Sequence, residues 1–373
     1  LPLYSFMSAT ARCWIAAGLI GIAPATAPAN DVAFGGAGAT LTPLEEPRVQ
    51  MLAEDILLER SAPGGYRILG EGDWRIQASY RFRNLTAEAV ELQIGFPEPA
   101  CPAEGDCDFS GFEAMSTTVR GEPVALTVGT LERQHAWAGD IQRVHLFQVR
   151  FAPHETLTVV HRYRHGLSEH ANGGEGLLYL TRTGAPWAGN IESARFRIRL
   201  PFRPWGMTLG EWAAHLSGFG EQLVDGQPRV ELVFQRQNWE PTTDLSLYLG
   251  PGHPTLETPA LIEGCPAHGE LFDLTMDTDT LNLADLQART DGLAVKQLRL
   301  CRNAIYAHHG MDFQDPALDR FFYGETGLKF HDFGDTPWLG GALFARNENY
   351  SPALLSEPER AYIQAIQLLE QTR

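Results

Sequence analysis

Lysine is nearly absent from this chain: of 29 basic residues, only Lys296 and Lys329 are lysines. No polybasic patch can be built from that supply, and 46 acidic residues bring the formal charge to −17. So acidic a chain repels phosphate backbones and anionic lipid surfaces, which excludes nucleic-acid binding as its main task. Long apolar runs are missing as well. The best candidate, from Cys13 to Ala23, falls short of the roughly 20 residues a membrane-spanning helix needs. The motifs of common chemistry are also lacking: there is no G-x-S-x-G elbow, no H-E-x-x-H and no Gly-rich phosphate loop. Cysteine is sparse, at five residues in 373. What remains is 44% hydrophobic and 20% charged, enough apolar material for a substantial packed core.

The short apolar run has a reading of its own. With Met7 as the start, Arg12 is a positive leader, Cys13 to Ala23 an apolar core, and Ala27-Pro28-Ala29 a small-residue cleavage site before Asn30. Residues 1–29 are therefore expected to be an export signal, delivering the chain to the periplasm or beyond. The mature chain then keeps Cys101, Cys107, Cys265 and Cys301, an even number for an oxidising compartment. Three pairings are open. The five-residue polar loop between Cys101 and Cys107 favours a local bridge, leaving Cys265 with Cys301. The spacing does not match zinc knuckles.

From residue 30 to 252 the period is two. Trp74, Ile76, Ala78, Tyr80 and Phe82 alternate with Arg75, Gln77, Ser79, Arg81 and Arg83, which predicts a strand with one wet face. Val90, Leu92, Ile94 and Phe96 resume the alternation after Asn84-Leu85-Thr86-Ala87, predicting a neighbouring antiparallel strand. Further strands are expected near 122–128, 143–151, 156–164, 192–200, 229–235 and 244–249. Frequent strands without intervening helices predict an antiparallel β-sandwich region, one large or two small, with His165–Gly176 as the seam if there are two. Arg75, Arg81 and Arg83 are either the solvated side of that strand or an anion-binding surface.

After a punctuated linker at 253–280 the period becomes helical. Residues 281–373 predict a small α module: a helix through Leu283, Leu286 and Leu293, a second from Val295 to His309 closed by Gly310, a third opened by Asp315-Pro316, and a last one behind the capping box Ser356-Glu357-Pro358-Glu359. The fold class is thus mainly β with a C-terminal α module.

Arg302 to Gly310 (Arg-Asn-Ala-Ile-Tyr-Ala-His-His-Gly), Phe313 to Leu318, Asn349-Tyr350-Ser351 and Leu354 to Glu359 recur as separated blocks. Together, over 297–369, they resemble the YARHG domain of bacterial envelope proteins. His308 stands where that motif has arginine. The resemblance implies an extracytoplasmic helical module and brings no catalytic residues. Residues 30–250 are similar to an uncharacterised family of bacterial secreted β-rich proteins, through Asn30-Asp31, Gly35-Gly36 and the run from Tyr80 to Pro99.

Candidate binding residues are Tyr306, His308, His309 and Trp338. His308, His309, Asp312, Asp315 and Asp319, followed by Glu325, His331, Asp332 and Asp335, form the densest polar series and could in principle ligate zinc or manganese. Adjacent histidines on a helix point about 100° apart, however, so no metal or other cofactor is expected. Trp187, Trp205, Trp212 and Trp239 are expected in loops or at strand ends, as sugar-stacking platforms or as core plugs. The expected role is non-catalytic binding or scaffolding, with peptidoglycan or an envelope protein as partner. The alternative is a wall hydrolase acting through His309 and neighbouring acids.

Overall fold

The computed structural model describes residues 31–35, 41–61, 73–100, 111–131, 141–166, 168–169, 175–201, 206–250, 283–323 and 346–373. These form a mainly β region and a C-terminal group of helices. The widest sheet has eight strands. In spatial order they are β15 (Leu216–Val224), β16 (Gln227–Trp239), β13 (Ile191–Leu200), β3 (Val49–Arg60), β4 (Trp74–Asn84), β10 (Thr156–His165), β6 (Phe112–Val119) and β7 (Glu122–Val124). A five-stranded sheet has the order β2 (Thr42–Leu44), β1 (Val32–Gly35), β5 (Val90–Pro99), β9 (Ile141–Phe151) and β8 (Thr127–Gly129). The third sheet joins β11 (Ser168–Glu169), β12 (Glu175–Tyr179), β17 (Leu245–Gly250) and β14 (Gly206–Thr208).

The alternation along β4 is borne out: Trp74, Ile76, Ala78, Tyr80 and Phe82 are buried, while Arg75, Arg81 and Arg83 are exposed. Each large apolar side chain so buried contributes about 1.5–3 kcal/mol. The expected pairing of this strand with the next is corrected. β4 hydrogen-bonds to β3 and β10, whereas β5 lies in the five-stranded sheet. The chain changes layers at Asn84, whose buried amide donates to the carbonyls of Glu88 and Ala152 while its oxygen accepts from Thr86. Both strands still alternate because they face one core from opposite sides, with the Tyr80 and Phe96 rings 6.5 Å apart.

A second correction concerns direction. β3 and β13 pair in parallel, Ser193 opposite Ala53 through Arg199 opposite Glu59. Such a pair needs a long crossover, which here is supplied by the strands between residues 60 and 191 in place of a helix. Strands β13 and β16 thereby extend the first sheet, and the four-stranded sheet takes over the facing layer. A single apolar cluster runs through all three, from Phe147 and Phe151 through Tyr80 and Ile56 to Phe196, Leu232 and Leu247. The region is one large sandwich whose second layer changes sheet near the expected seam.

The helices are α1 (Leu283–Arg289), α2 (Val295–His308), α3 (Pro316–Tyr323) and α4 (Glu357–Thr372), with a 3-10 turn at Pro352–Leu354. Leu298 and Ile305 of α2 pack on Tyr362, Ile363 and Ile366, while Leu300, Ala304 and Ala307 pack on Phe313, Leu318 and Phe322. Gly310, at φ 77°, ends α2 in the left-handed conformation expected of it, and the Met311 amide donates back to the Tyr306 carbonyl. Asp315 accepts from the Ala317 amide, and Ser356 and Glu359 close the capping box. Residues 1–30 and 253–280 lie outside the described residues, as do Cys101, Cys107, Cys265, Trp205 and Trp338. No helix among the described residues is long and apolar enough to cross a membrane.

Candidate functional site

Gly310 turns the chain immediately after His309, which leaves that imidazole at the junction of sheet and helices. From the sheet comes Glu221 on β15. It pairs with Val230, a core-facing residue of β16, and so points inward. From the helices comes Glu359, in the first turn of α4. His309 Nδ1 donates to Glu221 Oε1 and Nε2 donates to Glu359 Oε1, each at 3.0 Å. The other oxygen of Glu359 accepts from the Ser356 amide and hydroxyl at 2.7 and 2.8 Å, so one carboxylate both caps the helix and holds the histidine.

All three side chains are buried. Burial alone would push the imidazolium of His309 down; the charges and hydrogen bonds of Glu359 and Glu221 outweigh it and raise its pKa to about 9. Burial likewise acts to raise Glu359, but His309 and the cap bonds prevail and lower it. At neutral pH the node is an imidazolium between two carboxylates. With both ring nitrogens protonated and engaged by carboxylates, neither offers a lone pair to a metal ion.

His308 is fully buried, its ring centroid 5.3 Å from that of His309 and nearly perpendicular to it. Tyr306 is half-buried, packed between both apolar clusters of the helices. The acids of the polar series scatter. Asp312 and Asp319 pair with Arg346, and Asp315 pairs with Arg299. Glu325, His331, Asp332 and Asp335 lie outside the described residues. Among the described residues no group of three or more His, Cys, Asp or Glu side chains is arranged to hold a metal ion.

Trp187 and Trp212 are core plugs. Trp187 is buried against Phe82, with its indole donating to the Asp31 carbonyl at 2.6 Å. Trp212 is buried among Phe196, Phe234 and the half-buried Trp239. Neither Trp187 nor Trp212 offers a face to a sugar.

One constellation has the hydrogen-bond order of a catalytic triad. His161 of β10 lies 2.9 Å from Asp31 Oδ1 through Nε2 and 2.8 Å from the Thr117 hydroxyl through Nδ1. Burial raises the pKa of Asp31 against the pull of His161. Yet all three residues are buried, and the His161 ring is packed among Tyr80, Phe96 and Phe147. A second buried node sits at the end of β5, where Glu98 accepts from Arg143 and His145 at 2.8 and 2.9 Å. Beside it, Phe96, Phe112, Tyr163 and His165 line about 10 Å³ of internal space, room for one water rather than a ligand.

The molecule is thus a mainly β sandwich with a helical module fastened to one end by a buried histidine. Residues 274–327 match the YARHG domain, and residues 29–134 match the Domain of unknown function (DUF4424), an uncharacterised family. The first match takes in α1 to α3 and includes His309, but stops short of Glu359. No curated protein matches the chain. Among solved structures, a Legionella pneumophila chain described as a "putative nutrient binding protein" is 21% identical, with 91% of this chain and 99% of that one covered at a TM-score of 0.48. An M1 zinc metallopeptidase from Deinococcus radiodurans is 13% identical, with 61% and 55% covered and a TM-score of 0.31.

Sequence reasoning found His309 and the capping box but missed Glu221. A lone acid in the run Phe219-Gly220-Glu221 carries no signal until the register with β16 shows that it faces inward.

Proposed function

We propose that this chain is an exported, non-catalytic protein of the bacterial cell envelope, which binds or scaffolds there with peptidoglycan or another envelope component as its partner. The observation that carries the reading is the Glu221–His309–Glu359 node. His309, the most chemistry-like residue described in the helical module, is spent on fastening it to the sandwich, and the described acids of the polar series, Asp312, Asp315 and Asp319, form ion pairs with arginines. The match to the YARHG domain supports the envelope setting. So do the leader-like residues 1–29 and the even cysteine count that their removal leaves. Cys301 is buried in α2, and this reading assigns it a disulfide with Cys265.

The test is co-sedimentation of the full mature chain with purified peptidoglycan, with the supernatant assayed for released fragments. Retention without release is the expected result. No retention removes peptidoglycan as the partner, and soluble muropeptides would replace binding by hydrolysis. Residue Asn30 as the N-terminus of the protein recovered from the periplasm or medium would verify export.

A further inference from the structure

The outer face of the eight-stranded sheet is where the charge of this molecule separates. At one end of the strands a rung reads Glu231, Arg199, Glu59, Arg75, Arg164 and Glu113 across β16, β13, β3, β4, β10 and β6. Its charges largely compensate, with Arg199 on Glu231 at 2.7 Å and Arg164 on Glu113 at 3.0 Å. Toward the other end the acids stop. Arg81 has Ala53 and Thr158 as its cross-strand neighbours, and Arg83 has Gln50 and Thr156. Asp55, opposite Arg195, is held at 2.8 Å by Arg197. Arg81, Arg83 and Arg195 are exposed and have no ion-pair or hydrogen-bond partner among the described residues.

In a chain of charge −17, acids are abundant and uncompensated arginines are not a by-product of composition. The alternation fixes where these side chains point, but not that they be cationic; threonine or glutamine would keep the face wet equally well. Arginine adds a planar fork that grips carboxylates or phosphates with two parallel hydrogen bonds. Arg81 and Arg83 stand about 7 Å apart along β4, and Arg195, two strands away and level with Ser79, stands about 12 Å from Arg81. The face is open and flat, which suits an extended chain of spaced anions rather than an enclosed small molecule.

We propose that Arg81, Arg83 and Arg195 form a docking surface for a carboxylate-bearing wall polymer, the carboxylates of peptidoglycan stem peptides being the groups gripped. This rests on the envelope reading and names the surface that performs it.

The test compares the full mature chain with the variant R81Q/R83Q/R195Q. Each is sedimented with purified peptidoglycan, with the same material after amidation of its carboxyl groups, and with phosphatidylglycerol vesicles. The wild type is expected to bind unmodified peptidoglycan and to lose at least about tenfold in affinity through either the substitutions or the amidation. Far-UV circular dichroism of the variant should be unchanged, since all three positions are exposed. Equal retention of variant and wild type would overturn the surface while leaving the envelope reading intact. Binding that survives amidation, or binding to vesicles alone, would overturn the carboxylate assignment. No retention of the wild type would remove both.

Discussion

Replacing His309 with glutamine probes the junction most directly. The imidazolium of His309 bridges Glu221 and Glu359 at 3.0 Å each, and both carboxylates are buried. H309Q leaves them facing a neutral amide, and orphaning a buried charge costs about 3–5 kcal/mol. The pH dependence supplies an independent check. The pKa of His309 rises from 6.5 to about 9 on folding, so its contribution is complete below pH 6.5 and is lost as pH climbs through 9. That shift corresponds to about 3 kcal/mol. At the acid end the lowered pKa of Glu359 adds stability above its ordinary value near 4.5, lost as pH falls through the folded one. Urea unfolding of the full chain at pH 6 and pH 9.5, followed by tryptophan fluorescence, should show the wild type weakened at the higher pH. H309Q should be less stable at pH 6 and nearly flat between the two. E221Q/H309Q should recover part of the loss, because one orphaned carboxylate is gone. Wild-type stability unchanged between pH 6 and 9.5, or H309Q within about 1 kcal/mol of wild type at pH 6, would refute the charged node.

Two other sites give sharp expectations. Arg60 of β3 and Glu175 of β12 form an ion pair between the large sheet and the four-stranded one, each side chain 1% exposed; R60M should cost about 3–5 kcal/mol in denaturant unfolding, and R60M/E175L should return most of it. Gly111 has φ 92°, and a Cβ there would overlap the Arg143 guanidinium and crowd Glu98. G111A should therefore lose about 1–3 kcal/mol, read as a lower Tm, whereas G121A, also at positive φ but in open space, should lose less.

Local grammar was legible and long-range pairing was not. The helix ends at Gly310, Asp315 and Ser356 were announced by capping chemistry that acts within four residues. The alternation in β4 and β10 marked which side chains are buried. It could not say which strands are neighbours, because two strands facing one core from opposite layers alternate just as two paired strands do. For that reason β4 and β5 read as neighbouring antiparallel strands, and the parallel pairing of β3 with β13, which sets Arg197 opposite Leu57, left no trace. The same limit governs the site. His309 and Glu359 stood out by motif, whereas Glu221 acquires meaning only from its register with Val230 and from a histidine 88 positions away.

Glu221 also settles how the two parts belong together. β15 is an edge strand, and its inward residues Phe219 and Glu221 oppose Leu232 and Val230, both fully buried. A sandwich ending there on its own would gain from an apolar side chain at 221, since a buried carboxylate is at best neutral against a hydrophobic replacement. The acid at that position is met by a cation that arrives with the covering layer: the helical module brings His309 beside an apolar patch in which Phe219 also packs. The charge therefore serves specificity more than strength, because it admits only a partner surface that presents a protonated donor at one point. Since Glu221 faces inward, the module covers the inner side of the sheet at this edge. The arginine-bearing side of the same sheet points the other way. One continuous sheet thus holds its own helical module on one face and, on the other, presents Arg81, Arg83 and Arg195 without a partner among the described residues.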